Sequence, residues 1–296
     1  MEFRFHNEPH QYVCHYTSAE TALNHILKRR ILRMGPLTST NDPFETKSWS
    51  FAVGAQLGDG NDLKGLASKN PDYNRIIRYG CRVFCVSQDI ERAFKLDFYS
   101  RAYALPRMWA QYGGNHTGIC LVFDKDDLAR VIESSCPQNE TLVAGSVLYG
   151  NHFDPSEQTW MRHMEAFQLS ADDISVHGLE TAVAQHRDRY SDVFFFRKAA
   201  DWKHENEFRW IVRGETNTPH FIPFDSALRA IVIGTDFPPE RVAEVHQFCS
   251  DLDLHVARII WINGQPFVHW VPPDQVGTDR YRDIARHFDL LPHSSP

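Results

Sequence analysis

The sequence predicts a mixed α/β (α+β) domain, and three observations carry that expectation. Short apolar runs of strand type alternate with capped stretches of helical spacing. A long segment from about Ser156 to Ala200 reads as a helical insertion, interrupted at His177-Gly178. No repeat, low-complexity linker or shift of composition divides the chain, so residues 1–275 are expected to form one domain and 276–296 a C-terminal helix and loose tail.

The elements follow in order. Val13 to Tyr16 reads as a strand, and Thr17 with Glu20 as a capping box opening a helix through Leu23 and Leu27 that Gly35-Pro36 stops. Asn41 to Glu45 has the composition of a turn, and Gly54 to Asn74 that of a loop or short helix. Arg82 to Ser87 and Gly118 to Phe123 are buried strands, with a helical turn over Met108 to Tyr112 between them. Asp124 caps a helix, and Val147 to Tyr149 is a further strand. Glu205 to Val212 alternates so that Asn206, Phe208, Trp210 and Val212 share one face and Glu205, Glu207, Arg209 and Ile211 the other. Phe221 to Phe224 returns as a hairpin, and Arg229 to Gly234, a helix from Pro239 and a strand from Val256 complete the alternation.

Composition excludes several classes of function. At 296 residues, 42% hydrophobic and 23% charged, the chain is not disordered as a whole. Lys+Arg 31 against Asp+Glu 38 gives −7, which argues against general nucleic-acid binding, since that requires net positive charge to displace counterions. No apolar run approaches the roughly 20 residues that span a bilayer. The opening residues lack a basic-then-apolar signal, and the six cysteines read as reduced thiols, so a soluble cytoplasmic protein is expected. No Gly-x-Gly-x-x-Gly, Walker A or Gly-x-Ser-x-Gly motif is present, and Cys81 and Cys85 have no second pair at zinc spacing. His152, His163, His177 and His186 read as solvated surface.

His15 differs, because it ends a strand directly before a helix, where scaffolds present polar groups to ligands. Glu205-Asn206-Glu207 is the sharper signal. On one strand face its carboxylates would lie roughly 7 Å apart, a spacing suited to one group that stabilises a cationic sugar and another that handles an acceptor's proton. The competing view is a solvent-facing strand laced with weak charge pairs. Spacing alone leaves both open.

His15-Tyr16-Thr17-Ser18, Asn41-Asp42-Pro43-Phe44-Glu45, Cys85-Val86-Ser87, Met108-Trp109-Ala110-x-Tyr112, His116-x-Gly118-Ile119-Cys120-Leu121 and Trp202-x-x-Glu205-x-Glu207-Phe208-Arg209 occur in one order. In that order they resemble the bacterial domain-of-unknown-function family twenty-nine seventy-one. A weaker resemblance, through the strand ending His-x-Thr and the Glu-x-Glu pair, is to the ADP-ribosyltransferase superfamily. It implies a split, bent mixed β-sheet with surrounding helices and NAD⁺ as co-substrate in the cleft. It further implies that His15 bonds a ribose while Tyr16 or Thr17 shapes the strand end. Glu207 would hold the 2′-hydroxyl and stabilise the sugar cation, and Glu205 would orient or deprotonate the acceptor. Trp109 or Tyr112 would stack on nicotinamide, and Arg209 or Arg33 would meet the pyrophosphate. The expected partners are NAD⁺, an unknown macromolecular or small-molecule acceptor and an inhibitory protein, in a toxin or phage-defence setting. The rivals are a non-catalytic nucleotide or ADP-ribose sensor, and a metal-dependent nuclease using Asp42, Glu45, Glu205 and Glu207.

Overall fold

A computed structural model describes residues 8–55, 62–91, 98–151, 154, 156, 159–224, 226–250, 252 and 254–271. The expected C-terminal helix and tail, and His152, lie outside them. The strands in order are β1 (Tyr12–Thr17), β2 (Ile31–Pro36), β3 (Ala52–Gly54), β4 (Cys81–Gln88), β5 (Ile119–Asp124), β6 (Thr141–Ser146) and β7 (Leu148–Tyr149). They continue with β8 (Gln168–Ser170), β9 (Arg197–Lys198), β10 (Glu207–Arg213), β11 (His220–Pro223), β12 (Leu228–Ile233), β13 (His255–Ile262) and β14 (Gln265–Trp270). Ten of them form one mixed sheet in the order β11-β2-β4-β1-β5-β12-β13-β14, with β10 on β4 and β6 on β10. All its ladders are antiparallel except β12 with β13. The mixed α/β expectation holds at this level.

β4 is the branch point. One of its edges pairs with β10 along the whole length, Glu207 opposite Ser87 through Arg213 opposite Cys81. The other edge is shared. β1 pairs only with its end, Val13 opposite Gln88 and Cys14 opposite Ser87, and β2 only with its beginning, Gly35 opposite Val83 and Pro36 opposite Arg82. Residues 84–86 therefore face a gap where β1 and β2 diverge. Alternation along β4 sends Cys81 and Val83 into the core beneath the helical insertion, and Phe84 and Val86 into the core under the first helix. A third apolar cluster, including Tyr16, Tyr103 and Trp109, packs along β1, β5 and β12.

Helix signals in the sequence are partly corrected. Ser18, not Thr17, caps the first helix, its hydroxyl accepting from Thr21 N at 3.1 Å. That helix ends at Arg30, which takes a left-handed φ of 55°, and the residues expected to stop it form β2 instead. The Asn41–Glu45 turn is a short helix, Pro43–Thr46, with Asp42 as its cap. Asp124 does cap Lys125–Ser135, accepting from Asp126 N and Asp127 N. The stretch Gly54 to Asn74, expected as a loop or short helix, holds the helix Leu63–Ala67 and the start of a second, Asn70–Arg78, that runs past it. The 156–200 segment holds helices Trp160–Ala166, Ala171–His177, Leu179–Arg189 and Ser191–Phe195, with the break at Gly178. β11 does not return along β10 but pairs with β2. His163 is buried between the Phe44 and Phe167 rings rather than solvated. Among the described residues no helix is long and apolar enough to cross a membrane, and all six cysteines are free thiols.

Candidate functional site

A cavity of about 230 Å³ opens beside the gap in the β4 ladder, and Cys14, His15, Glu45, Ser87, Tyr112, Lys198, Glu205 and Glu207 are among its lining residues. Three strands build its floor. Cys14, Ser87 and Glu207 stand in register across β1, β4 and β10, so the pleat turns all three to one face.

Glu205 and Glu207 do not share a strand. Residues 200–205 wind as a 3-10 helix, Asn206 takes a left-handed φ of 42°, and β10 starts only at Glu207. Asn is among the few residues that tolerate that conformation, and here its amide donates across to Gln88 O at 2.6 Å, tying the turn to the end of β4. The two carboxylates converge all the same. Lys198 Nζ lies 2.7 Å from Glu205 Oε2 and 2.7 Å from Glu207 Oε2. Behind Glu207, Arg209 grips Oε1 through Nε and Nη2, both at 2.7 Å, and reaches Glu45 Oε1 at 2.5 Å. Tyr112 donates to Glu205 Oε1 at 2.6 Å, and Tyr149 Oη accepts from Glu207 N at 2.8 Å.

Glu45, Lys198, Glu205, Glu207 and Arg209 are all buried. With every member ionised, three carboxylates face two cations, and the cluster keeps one negative charge. Burial alone would raise the Glu207 carboxyl, but Arg209 and Lys198 override it and hold the pKa down at about 2. Burial dominates at Glu205 and raises it, with Lys198 opposing. Burial also pushes the Tyr112 hydroxyl up, helped by the Glu205 charge. Two neighbouring carboxyls whose surroundings drive them apart are suited to different roles, one permanently anionic and one able to take up a proton.

His15 enters from the other side of the pleat. Its ring packs 4.9 Å from Phe84, and Nδ1 lies 3.1 Å from the Cys85 carbonyl inside the gap that β1 and β2 leave. Burial lowers its pKa, so Nδ1–H is the donor to that carbonyl and Nε2 is left as an acceptor. The gap thus lets a residue of the opposite pleat face border the cavity.

The remaining expected site residues divide. Tyr16 borders the cavity, yet its hydroxyl is spent on Ala102 O at 2.6 Å and its ring stands edge-on to Trp109. Thr17 does not line the cavity. Trp109 is fully buried, its Nε1 donating to Tyr103 O at 2.9 Å, and is a core aromatic rather than a stacking surface. Arg209 lies behind Glu207 and does not line the cavity, so it is not placed to meet a pyrophosphate there. Sequence reasoning missed Lys198 altogether and named Glu45 only as a metal ligand. Among the described residues no group of three or more His, Cys, Asp and Glu is arranged to hold a metal ion, and Lys198 and Arg209 bond carboxylate oxygens of Glu205, Glu207 and Glu45.

Over residues 108–210 the chain matches the family described as Protein of unknown function (DUF2971). The resemblance read from the ordered motifs is borne out over this stretch, which contains Tyr112, Lys198, Glu205, Glu207 and Arg209. The DUF2971 match leaves out His15 and Glu45, the parts of the site contributed from before residue 108. No curated protein and no solved structure matches the chain.

Proposed function

We propose that the carboxylate cavity cleaves the bond between nicotinamide and ribose in NAD⁺ and passes ADP-ribose to an acceptor, as an ADP-ribosyltransferase-like enzyme. The observation that carries the reading is the convergence on one cavity of His15, Tyr112, Glu205 and Glu207, drawn from three widely separated stretches of the chain. The divergence of β1 and β2 beside β4 supports it, because a split sheet is what the superfamily resemblance implies. Charge supports it as well. A cluster that retains one negative charge favours the cationic nicotinamide ring of the ligand at the start and the cationic sugar that develops on the way.

Glu207 stays anionic and holds the sugar hydroxyls at the reacting ribose. Tyr112 lies against nicotinamide and fixes Glu205. The bond between ribose C1′ and nicotinamide breaks with its electron pair leaving on the nicotinamide nitrogen. The acceptor's oxygen or nitrogen bonds to C1′ as its proton passes to Glu205. Thr40 and Ser87 are lining residues of the cavity, and their hydroxyls are buried with no partner among the described residues.

The test is release of nicotinamide from NAD⁺ by the purified chain, with and without an acceptor-rich lysate. Wild type is expected to release it, and Glu205→Gln to lose transfer while keeping residual hydrolysis. A second reading, a sensor that binds the nucleotide uncleaved, has one observation in its favour: Lys198 already bridges both carboxylates. Binding of NAD⁺ without nicotinamide release would select it.

A further inference from the structure

A second concavity, of about 430 Å³, borders the first through His15, and its character is opposite. His25 and Arg29 come from the first helix region, Arg33 from β2 and Phe221 from β11, and no acidic side chain lines it. Arg33 and Phe221 are directly opposite in the β2–β11 ladder, which sets guanidinium and ring side by side on one face. Among the described residues the side chains of His25, Arg29 and Arg33 enter no hydrogen bond or ion pair. In a chain of net charge −7 with histidine counted neutral, two guanidinium groups beside a histidine, around one hollow lined by no acidic side chain, are a local reversal of sign. Beside them, Phe221 is 49% exposed and Ile26 contributes an apolar floor.

The chemistry that matches both features is a phosphate-bearing group joined to a flat aromatic base. Guanidinium groups suit phosphate oxygens, and an exposed ring suits the face of a base. We infer that this basic cavity is the subsite for the adenosine-diphosphate arm of the ligand, with Arg29 and Arg33 on the phosphates, Phe221 against the base and His15 at the junction with the carboxylate cavity. The inference rests on the proposed function for the sugar end of that ligand, but the basic subsite can be probed alone.

Isothermal titration of the full chain with ADP, inorganic pyrophosphate and adenosine tests it. ADP lacks the nicotinamide riboside and needs only the basic cavity. The expected result is ADP binding that Arg29→Ala and Arg33→Ala each weaken by roughly tenfold or more, the usual weight of a charge-assisted hydrogen bond. Phe221→Ala should weaken ADP and leave pyrophosphate unchanged, and Glu207→Gln should leave ADP binding as in wild type. Adenosine should bind more weakly than ADP. Equal ADP affinity in wild type and the Arg29→Ala/Arg33→Ala double variant overturns the inference, as does wild type that binds no ADP at millimolar concentration. Pyrophosphate binding as tight as ADP overturns the place of the base. The two ideas fail separately. Arginine-dependent ADP binding without nicotinamide release defeats the enzyme reading alone. Nicotinamide release with an unchanged KM for NAD⁺ in the double variant defeats the subsite alone.

Discussion

The two cavities that meet at His15 handle charge in opposite ways. In the carboxylate cavity every charge is buried and held by another: Lys198 between Glu205 and Glu207, Arg209 between Glu207 and Glu45. In the basic cavity Arg29 and Arg33 are exposed and unpaired among the described residues. Buried charges survive only as a network, so removing one member strands the others in a medium that solvates them poorly. Exposed charges are solvated and contribute little to folding, which leaves them free for a ligand. The difference separates a pre-organised site, costly to disturb, from a recognition surface that is cheap to change.

The largest break in that contrast is Arg209→Ala. It leaves Glu45 and Glu207 facing each other with one cation fewer, and chemical denaturation should show a loss of about 3–5 kcal/mol. Glu207→Gln keeps the volume and removes the charge; nicotinamide release should fall by roughly a hundred- to thousandfold while ADP binding persists. Acid should unfold the protein through the same group. The Glu207 pKa is depressed from the ordinary carboxylate value to about 2, so its contribution to stability is complete above the ordinary value and is lost as pH falls toward 2. Denaturation midpoints measured from pH 5 downward should decline in wild type and decline less steeply in Glu207→Gln. Lys198→Met removes the cation opposing burial at Glu205, so the acidic limb of the rate–pH profile should move upward. The smallest effect is the other half of the contrast: Arg29→Ala and Arg33→Ala should each change stability by no more than about 0.5 kcal/mol.

Much of the scaffold was legible because it depends on local pattern. β1, β4, β5 and β12 are apolar runs bounded by polar residues, and Asp124 announces its helix by position. β2 was not legible: Arg33 and Gly35 dilute its pattern, and it becomes a strand by pairing with β4 and β11. β6 carries the small residues Ala144 and Gly145 and owes its state to β10. At the site, a period of two through Glu205-Asn206-Glu207 predicts the pair but not its geometry: Asn206 turns the backbone, and the carboxylates meet through Lys198. Lys198 itself sits in a two-residue strand, and nothing nearby in sequence shows that β7 will bring it under Glu207. Trp109 had the composition of a stacking residue, but burial is the commoner fate of a large ring and holds here.

The central claim is that a single ligand places its reacting ribose between Glu207 and Tyr112 and carries its phosphates past His15. A crystal structure of Glu207→Gln with NAD⁺ tests this most directly, because the variant should bind and not turn over. The predicted result has ribose hydroxyls within hydrogen-bond distance of residue 207, nicotinamide against Tyr112 and the pyrophosphate at Arg29 and Arg33. Nicotinamide riboside lying outside the carboxylate cavity, or crystals soaked in millimolar NAD⁺ that bind none, would contradict it.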